Sequence, residues 1–423
     1  MKATLLNPLA HRKQCWLPPR EAGARLEPSS LWRSLRPLIV VSTALGVAPH
    51  RPRCCCLRGA ASRAYSLAIA LAVLCFCSMD AAFVAGAEVE QKLAAASASG
   101  FITIITITVT AALSILSSLA GNGDRFLSLV SEIERVDVLF HKRASRANSR
   151  TFLCLLLLAA TLLTYYSMFI AFQVISLNSF AFVMVYVANC LTVFIVFQFT
   201  TLVAVLGHRF SLLNDTILRM SDNISVMQWN ELGQLTNNRR PMLPSRRTHP
   251  AKSFPEESIT LMSIPILVDV RLAYMRLSKV AAAVNRMYGI PMVASALQTL
   301  TVSYHVIFHI LGAALHREKA DLFETLTNTS YVVVTLASFV CMAAACHTAA
   351  AQASRTATIS DERCLTNSAG PEVCRQLRQL SRQARHRPVS FSACRLFTVD
   401  AHLLTAMAAT IASYTIILLQ FVS

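Results

Sequence analysis

Apolar residues run through this chain in long blocks, set apart by stretches dense in arginine, lysine and serine. A helix needs about 20 mostly apolar residues to cross a hydrocarbon core of about 30 Å. Seven blocks reach that scale, at 63–83, 100–120, 151–172, 179–207, 288–315, 331–350 and 400–422. The fourth runs 29 residues, long enough to tilt or to project beyond the bilayer. The segment 38–47 is too short to span and predicts a peripheral or re-entrant helix. The expected fold class is all-α, a seven-transmembrane helix bundle. An N-terminal region, 1–62, holds the short helix. Spans one to six occupy 63–350 and are interrupted by a long loop at 208–287. A further loop at 351–399 leads to the last span, 400–423. The first thirty residues carry charge but lack the continuous apolar run of a secretory signal peptide. The first span is expected to serve as an uncleaved targeting signal.

Composition agrees with a membrane protein. Hydrophobic residues make up 54% of the chain and charged residues 14%, with a mean hydropathy of +0.50. Soluble domains carry roughly a quarter charged residues. Disorder is excluded and a soluble enzyme is disfavoured. The 39 Lys and Arg against 22 Asp and Glu leave a net charge of +17. When seven spans are threaded, region 1–63 holds 11 basic residues, 121–150 holds 6, 208–287 holds 11 and 351–399 holds 8. These 36 all fall on one side, and the other side has only Lys92, Arg317 and Lys319. Basic residues concentrate in cytoplasmic loops. The expected topology is therefore inverted, with a cytoplasmic N-terminus and an extracellular C-terminus, opposite to a G-protein-coupled receptor. The positive charge reports orientation and not a nucleic-acid partner.

Asn328-Thr329-Ser330 is a candidate glycosylation sequon in a predicted outer loop. Sequons at Asn214 and Asn223 fall on the cytoplasmic side, where they should be silent. The 13 cysteines avoid the outer loops, so no disulfide framework is implied. Cys54-Cys55-Cys56 is either a palmitoylation site or a plain cytosolic cysteine cluster.

The span interiors are free of Asp, Glu, Lys and Arg, which weakens an ion-coupled transporter. His305 and His309 stand at i and i+4, on one helix face. Further ligands are lacking, so a hydrogen-bonded pair lining a polar cavity is preferred over a metal site. No Walker loop, nucleophile elbow or carboxylate pair is present. Neither an enzyme nor a cofactor is expected. Aromatic residues gather in the outer halves of the spans: Tyr165, Tyr166 and Phe169, then Phe180, Phe182 and Tyr186, then Tyr304 and Phe308 beside the two histidines, then Tyr331. They form either an interfacial aromatic belt or the walls of a pocket for a small organic ligand. On the last span, His402, Ala406, Thr410, Ser413, Ile417 and Gln420 fall on one narrow stripe at 100° per residue. Lipid offers polar groups no partner. The stripe faces either a neighbouring helix or a pore, with Ile417 as an apolar constriction.

The chain closes on Ser413-Tyr414, five residues from Thr415 to Leu419, then Gln420-Phe421. This resembles the C-terminal signature of the insect gustatory receptors, Thr-Tyr, five mostly hydrophobic residues and Gln-Phe. Ser413 replaces threonine and Thr415 is polar where the family is usually hydrophobic. The resemblance implies a ligand-gated, non-selective cation channel in the plasma membrane of chemosensory neurons. Four subunits, as a homotetramer or a heterotetramer with other gustatory receptors, would surround one pore lined by the last helix. The gate would fall at Ile417, with Gln420 one turn outward, and a small-molecule tastant, by default a bitter compound, would bind among the outer aromatics. A transporter and a G-protein-coupled receptor are the alternative readings.

Overall fold

A computed structural model describes residues 30–46, 56–88, 94–117, 119, 123–140, 164–165, 167, 183–237, 256–316, 322–366 and 371–422. The third expected span, 151–172, lies outside these residues apart from Thr164, Tyr165 and Ser167. Cys54 and Cys55 also lie outside them.

The described chain forms nine helices. They are α1 (Ser30–Ala44), α2 (Cys56–Glu88), α3 (Ala94–Ser117), α4 (Gly123–Phe140), α5 (Val183–Asn237), α6 (Glu256–His316), α7 (Leu322–Thr366), α8 (Pro371–His386) and α9 (Ala401–Val422). One two-stranded hairpin, β1 (Ser392–Ala393) and β2 (Phe397–Thr398), joins α8 to α9. The expected spans in the described residues fall within α2, α3, α5, α6, α7 and α9. Among the described residues, four helices hold stretches long and apolar enough to cross a membrane, Gly100–Ser117, Val185–Met220, Ile264–Phe308 and Thr329–Leu365. Shorter apolar helices cover Arg63–Met79 and Ala401–Ile417.

The segments expected as loops contain helix instead. The structure shows α4 inside 121–150, α5 running through Asn237, α6 starting at Glu256 and α8 inside 351–399. The reason is a change of pattern, not a loss of one. From the end of its apolar block onward, the buried residues of α5 run as Val203, Leu206, Phe210, Leu213 and Ile217. Those of α6 recur as Leu267, Val270, Tyr274, Leu277, Ala281, Val284 and Tyr288. This alternation of three and four residues is the seam of packed helices, with the polar residues on the other faces. In α8 the same spacing buries Val373, Leu377, Leu380 and Ala384 and exposes Arg375, Arg378, Arg382 and Arg385. Pro371 and Glu372 open α8, and Arg385 and His386 close it, matching the helix dipole at both ends.

Polar ties lock these extensions together. Arg209 of α5 is fully buried and donates to both carboxylate oxygens of Asp137 on α4, at 2.9 and 2.7 Å. Asn214 of α5 donates to the backbone of Gln352 on α7 at 2.9 Å and accepts from Thr356 at 2.7 Å. Arg271 of α6 donates to Gln376 and Gln379 of α8 at 2.7 and 2.6 Å. The hairpin packs on α6. Its turn residues Cys394 and Arg395 have positive φ values of 51° and 63°, and Leu396 N donates to Ala393 O at 2.9 Å, the mirror-image turn that suits a tight hairpin. Gly289 of α6 makes room for it, since a Cβ there would lie 3.1 Å from Cys394 N. Asp400 then caps α9, accepting from Leu403 N at 3.2 Å and Thr398 Oγ1 at 2.9 Å. The hairpin thus sets where the last helix begins.

Candidate functional site

The last helix is attached to its own bundle along one narrow face. Leu403, Leu404, Met407 and Ile411 turn inward, and of these Met407 is buried. Of the predicted stripe, His402, Ala406, Ser413, Ile417 and Gln420 are exposed and Thr410 is half-buried. The hydroxyls of Thr405, Thr410 and Thr415 each satisfy themselves on a carbonyl one turn back in α9. Ile416 and Tyr414 are also more than half exposed. Among the described residues, most of this helix is exposed, with the polar stripe turned away from α6 and α7.

The aromatic residues resolve into two groups. In the first, Tyr186 of α5 meets Tyr331 of α7 edge to face, with ring centroids 6.2 Å apart. Tyr165, from the third expected span, hydrogen-bonds the hydroxyl of Ser330 beside it. Thr335 is buried one turn along α7, bonded to Tyr331 O. In the second group, Tyr304 of α6 meets Tyr414 of α9 edge to face at 6.2 Å. Its neighbour His305 turns to α3, its Cε1 lying 3.5 Å from where a Cβ on Gly100 would sit. Phe308 is half-buried on α6. Tyr304 and His305 therefore serve different contacts, as residues 100° apart on a helix must. Tyr166, Phe169, Phe180 and Phe182 lie outside the described residues, as do the side chains of His309 and Phe421. Asn328, expected in a loop, lies in the opening turns of α7, where neither Gly nor Pro intervenes to stop the helix.

Two buried amides between the groups escaped a reading based on charge. Gln298 of α6 donates to Asn189 Oδ1 of α5 at 2.6 Å, and both side chains are within 1% of full burial. Thr301 bonds Thr106 of α3 at 2.9 Å, tying α6 to its other neighbour. The available signal was an Asn and a Gln inside otherwise apolar spans, residues that pair across helices in lipid. Gln298 and His305 are seven residues apart and so share a face of α6.

The solved olfactory receptor OR5 from Machilis hrabei is similar to this chain over 92% of its length and 98% of the receptor's, at 11% identity and a TM-score of 0.64. The same receptor in complex with eugenol gives a TM-score of 0.65 over the same shares and at the same identity. Identity this low shows the fold. No curated protein matches the sequence. A family description, the 7tm chemosensory receptor, matches residues 35–423, from α1 through the closing Gln420-Phe421. A multi-pass helical membrane protein whose last helix ends on that signature, matched over nearly its whole length, belongs to the 7tm chemosensory receptor family.

Proposed function

We propose that this chain is one subunit of a ligand-gated, non-selective cation channel of the gustatory type, opened by small-molecule tastants, with bitter compounds as the default class. One observation carries the reading: the polar stripe of α9 is exposed on the side away from its own bundle. A face carrying polar side chains suits water better than lipid, and a ring of four copies places Ser413, Ile417 and Gln420 around water. Ile417 is then the apolar constriction that closes by dewetting. The basic bias of the connecting segments, 36 of 39 residues, supports a cytoplasmic N-terminus and an extracellular C-terminus. The complex sits in the plasma membrane of chemosensory neurons, as a homotetramer or with other gustatory receptors.

The ligand binds among the outer aromatics, which include Tyr165, Tyr186, Tyr331, His305 and Phe308. That the relative OR5 was solved with eugenol, a small aromatic molecule, supports a site of this kind. Gating requires the ligand to favour the open state by differential affinity. The contact of Tyr304 with Tyr414 offers a mechanical link, because α6 carries pocket residues and Tyr414 rides on the pore helix. The test is whole-cell recording from cells that display this chain at the surface, alone and with a second gustatory receptor, during application of a bitter panel. The expected result is a tastant-evoked current reversing near zero millivolts. Surface display without evoked current in either setting would overturn the reading.

A further inference from the structure

Cys364, near the end of α7, and Cys374, in α8, face each other. Cys364 Sγ donates to Cys374 O at 3.8 Å, and Cys374 Sγ donates to Cys364 O at 3.6 Å. Burial, with the Cys364 thiol close by, pushes the Cys374 thiol above its ordinary value. A third group completes the cluster: Arg378, one turn further along α8, donates from Nε to Cys364 Sγ at 3.3 Å. Both cysteines are half-buried and so lie outside the fully buried core. The reciprocal contacts hold the two backbones within side-chain reach of each other, the condition for a cross-link.

We propose that Cys364 and Cys374 are a redox modification site, a dithiol that a hydroperoxide closes into a disulfide joining α7 to α8. Cys364 attacks as its thiolate, with the Arg378 charge facing the sulfur that carries the negative charge. Its sulfur forms a bond to one peroxide oxygen, the O–O bond breaks, and the departing hydroxide takes up a proton as water. Cys364 is then a sulfenic acid. The sulfur of Cys374 attacks that sulfur, the S–O bond breaks, and a second water leaves with the Cys374 proton. Two thiols are oxidised by two electrons in all, and one hydrogen peroxide is reduced to two waters. Exchange with a glutathione-class thiol reverses the step. On the side proposed here to be cytoplasmic, the pair rests reduced. The site needs neither a ligand nor an open pore, so its test stands apart from that of the proposed function.

The full-length chain in membranes is reduced with dithiothreitol, desalted, treated with graded hydrogen peroxide, and blocked with N-ethylmaleimide. Cleavage after Glu372 separates the two cysteines, so a disulfide is read by mass spectrometry as two peptides held together. The expected product is that linked pair, lost on reduction and appearing before the exposed Cys394 is oxidised. Arg378→Gln should slow its formation about fivefold, the loss of one charge-assisted contact. In Cys374→Ser, dimedone should trap a sulfenic acid on Cys364. Separate alkylation of Cys364 and Cys374 at peroxide doses that oxidise Cys394 would overturn the proposal. So would an unlabelled Cys364 in Cys374→Ser.

Discussion

Tyr304 on α6 and Tyr414 on α9 meet with ring centroids 6.2 Å apart and planes at 87°. One belongs to the helix that carries His305 and Phe308, the other to the closing signature. Edge-to-face aromatic pairs contribute about 0.5–1.5 kcal/mol beyond their buried area. If this contact transmits ligand binding to the pore, Tyr304→Ala and Tyr414→Ala should each weaken tastant sensitivity by about three- to tenfold, and the double variant should do no worse than either alone. Dose–response currents for the four forms measure this. Additive effects would show that the two rings act independently.

Ile417 is the bulky apolar member of the exposed stripe and is 46% exposed in the single chain. Replacing it with serine should let water wet the constriction and raise current without tastant. Unchanged leak at equal surface display would remove Ile417 from the gate.

The Arg209–Asp137 pair joins α4 to α5 through a fully buried guanidinium. Removing one partner of a buried pair strands the other and costs about 3–5 kcal/mol. Asp137→Ala should sharply lower the melting temperature of the detergent-solubilised chain. The double change Asp137→Leu with Arg209→Met should recover most of it, and failure to recover would mean that Arg209 has partners beyond Asp137 that matter more.

Gly289 receives the hairpin, and an added Cβ would lie 3.0 Å from Cys394 Sγ and 3.1 Å from its backbone nitrogen. Gly289→Val should therefore unseat the hairpin and lower thermal stability. Cys394→Gly acts in the opposite direction, removing the sulfur and relieving a left-handed backbone at φ 51°, a gain of about 1 kcal/mol. A stable Gly289→Val protein would show that the hairpin moves aside at little cost.

The all-helical, multi-span architecture was legible in the sequence, because continuous apolar runs leave few alternatives in a bilayer. The closing signature was legible too, along with the polar stripe on the last helix. The helical extensions of α5 and α6 were not, because there charged and polar residues break the apolar run and the buried positions thin to every third or fourth residue, resembling an ordinary polar segment. Their periodicity from Val203 to Ile217 and from Leu267 to Tyr288 becomes decisive only once a packed partner is known. Partnerships across the chain were also hidden. Nothing in the spacing of Arg209 and Asp137, 72 residues apart, or of Gln298 and Asn189, 109 apart, says that they meet.

The sequence by itself therefore determined the helical membrane class, the family through its last nine motif positions, and the face of the final helix that carries polar groups. Tertiary structure decided which aromatics meet, that Tyr304 turns to the last helix while His305 turns to α3, and that the polar face points away from its own bundle. The physical reason is range. Hydrophobicity and helical period are local properties written residue by residue, whereas the direction a helix face takes is set by distant segments packing against its other side.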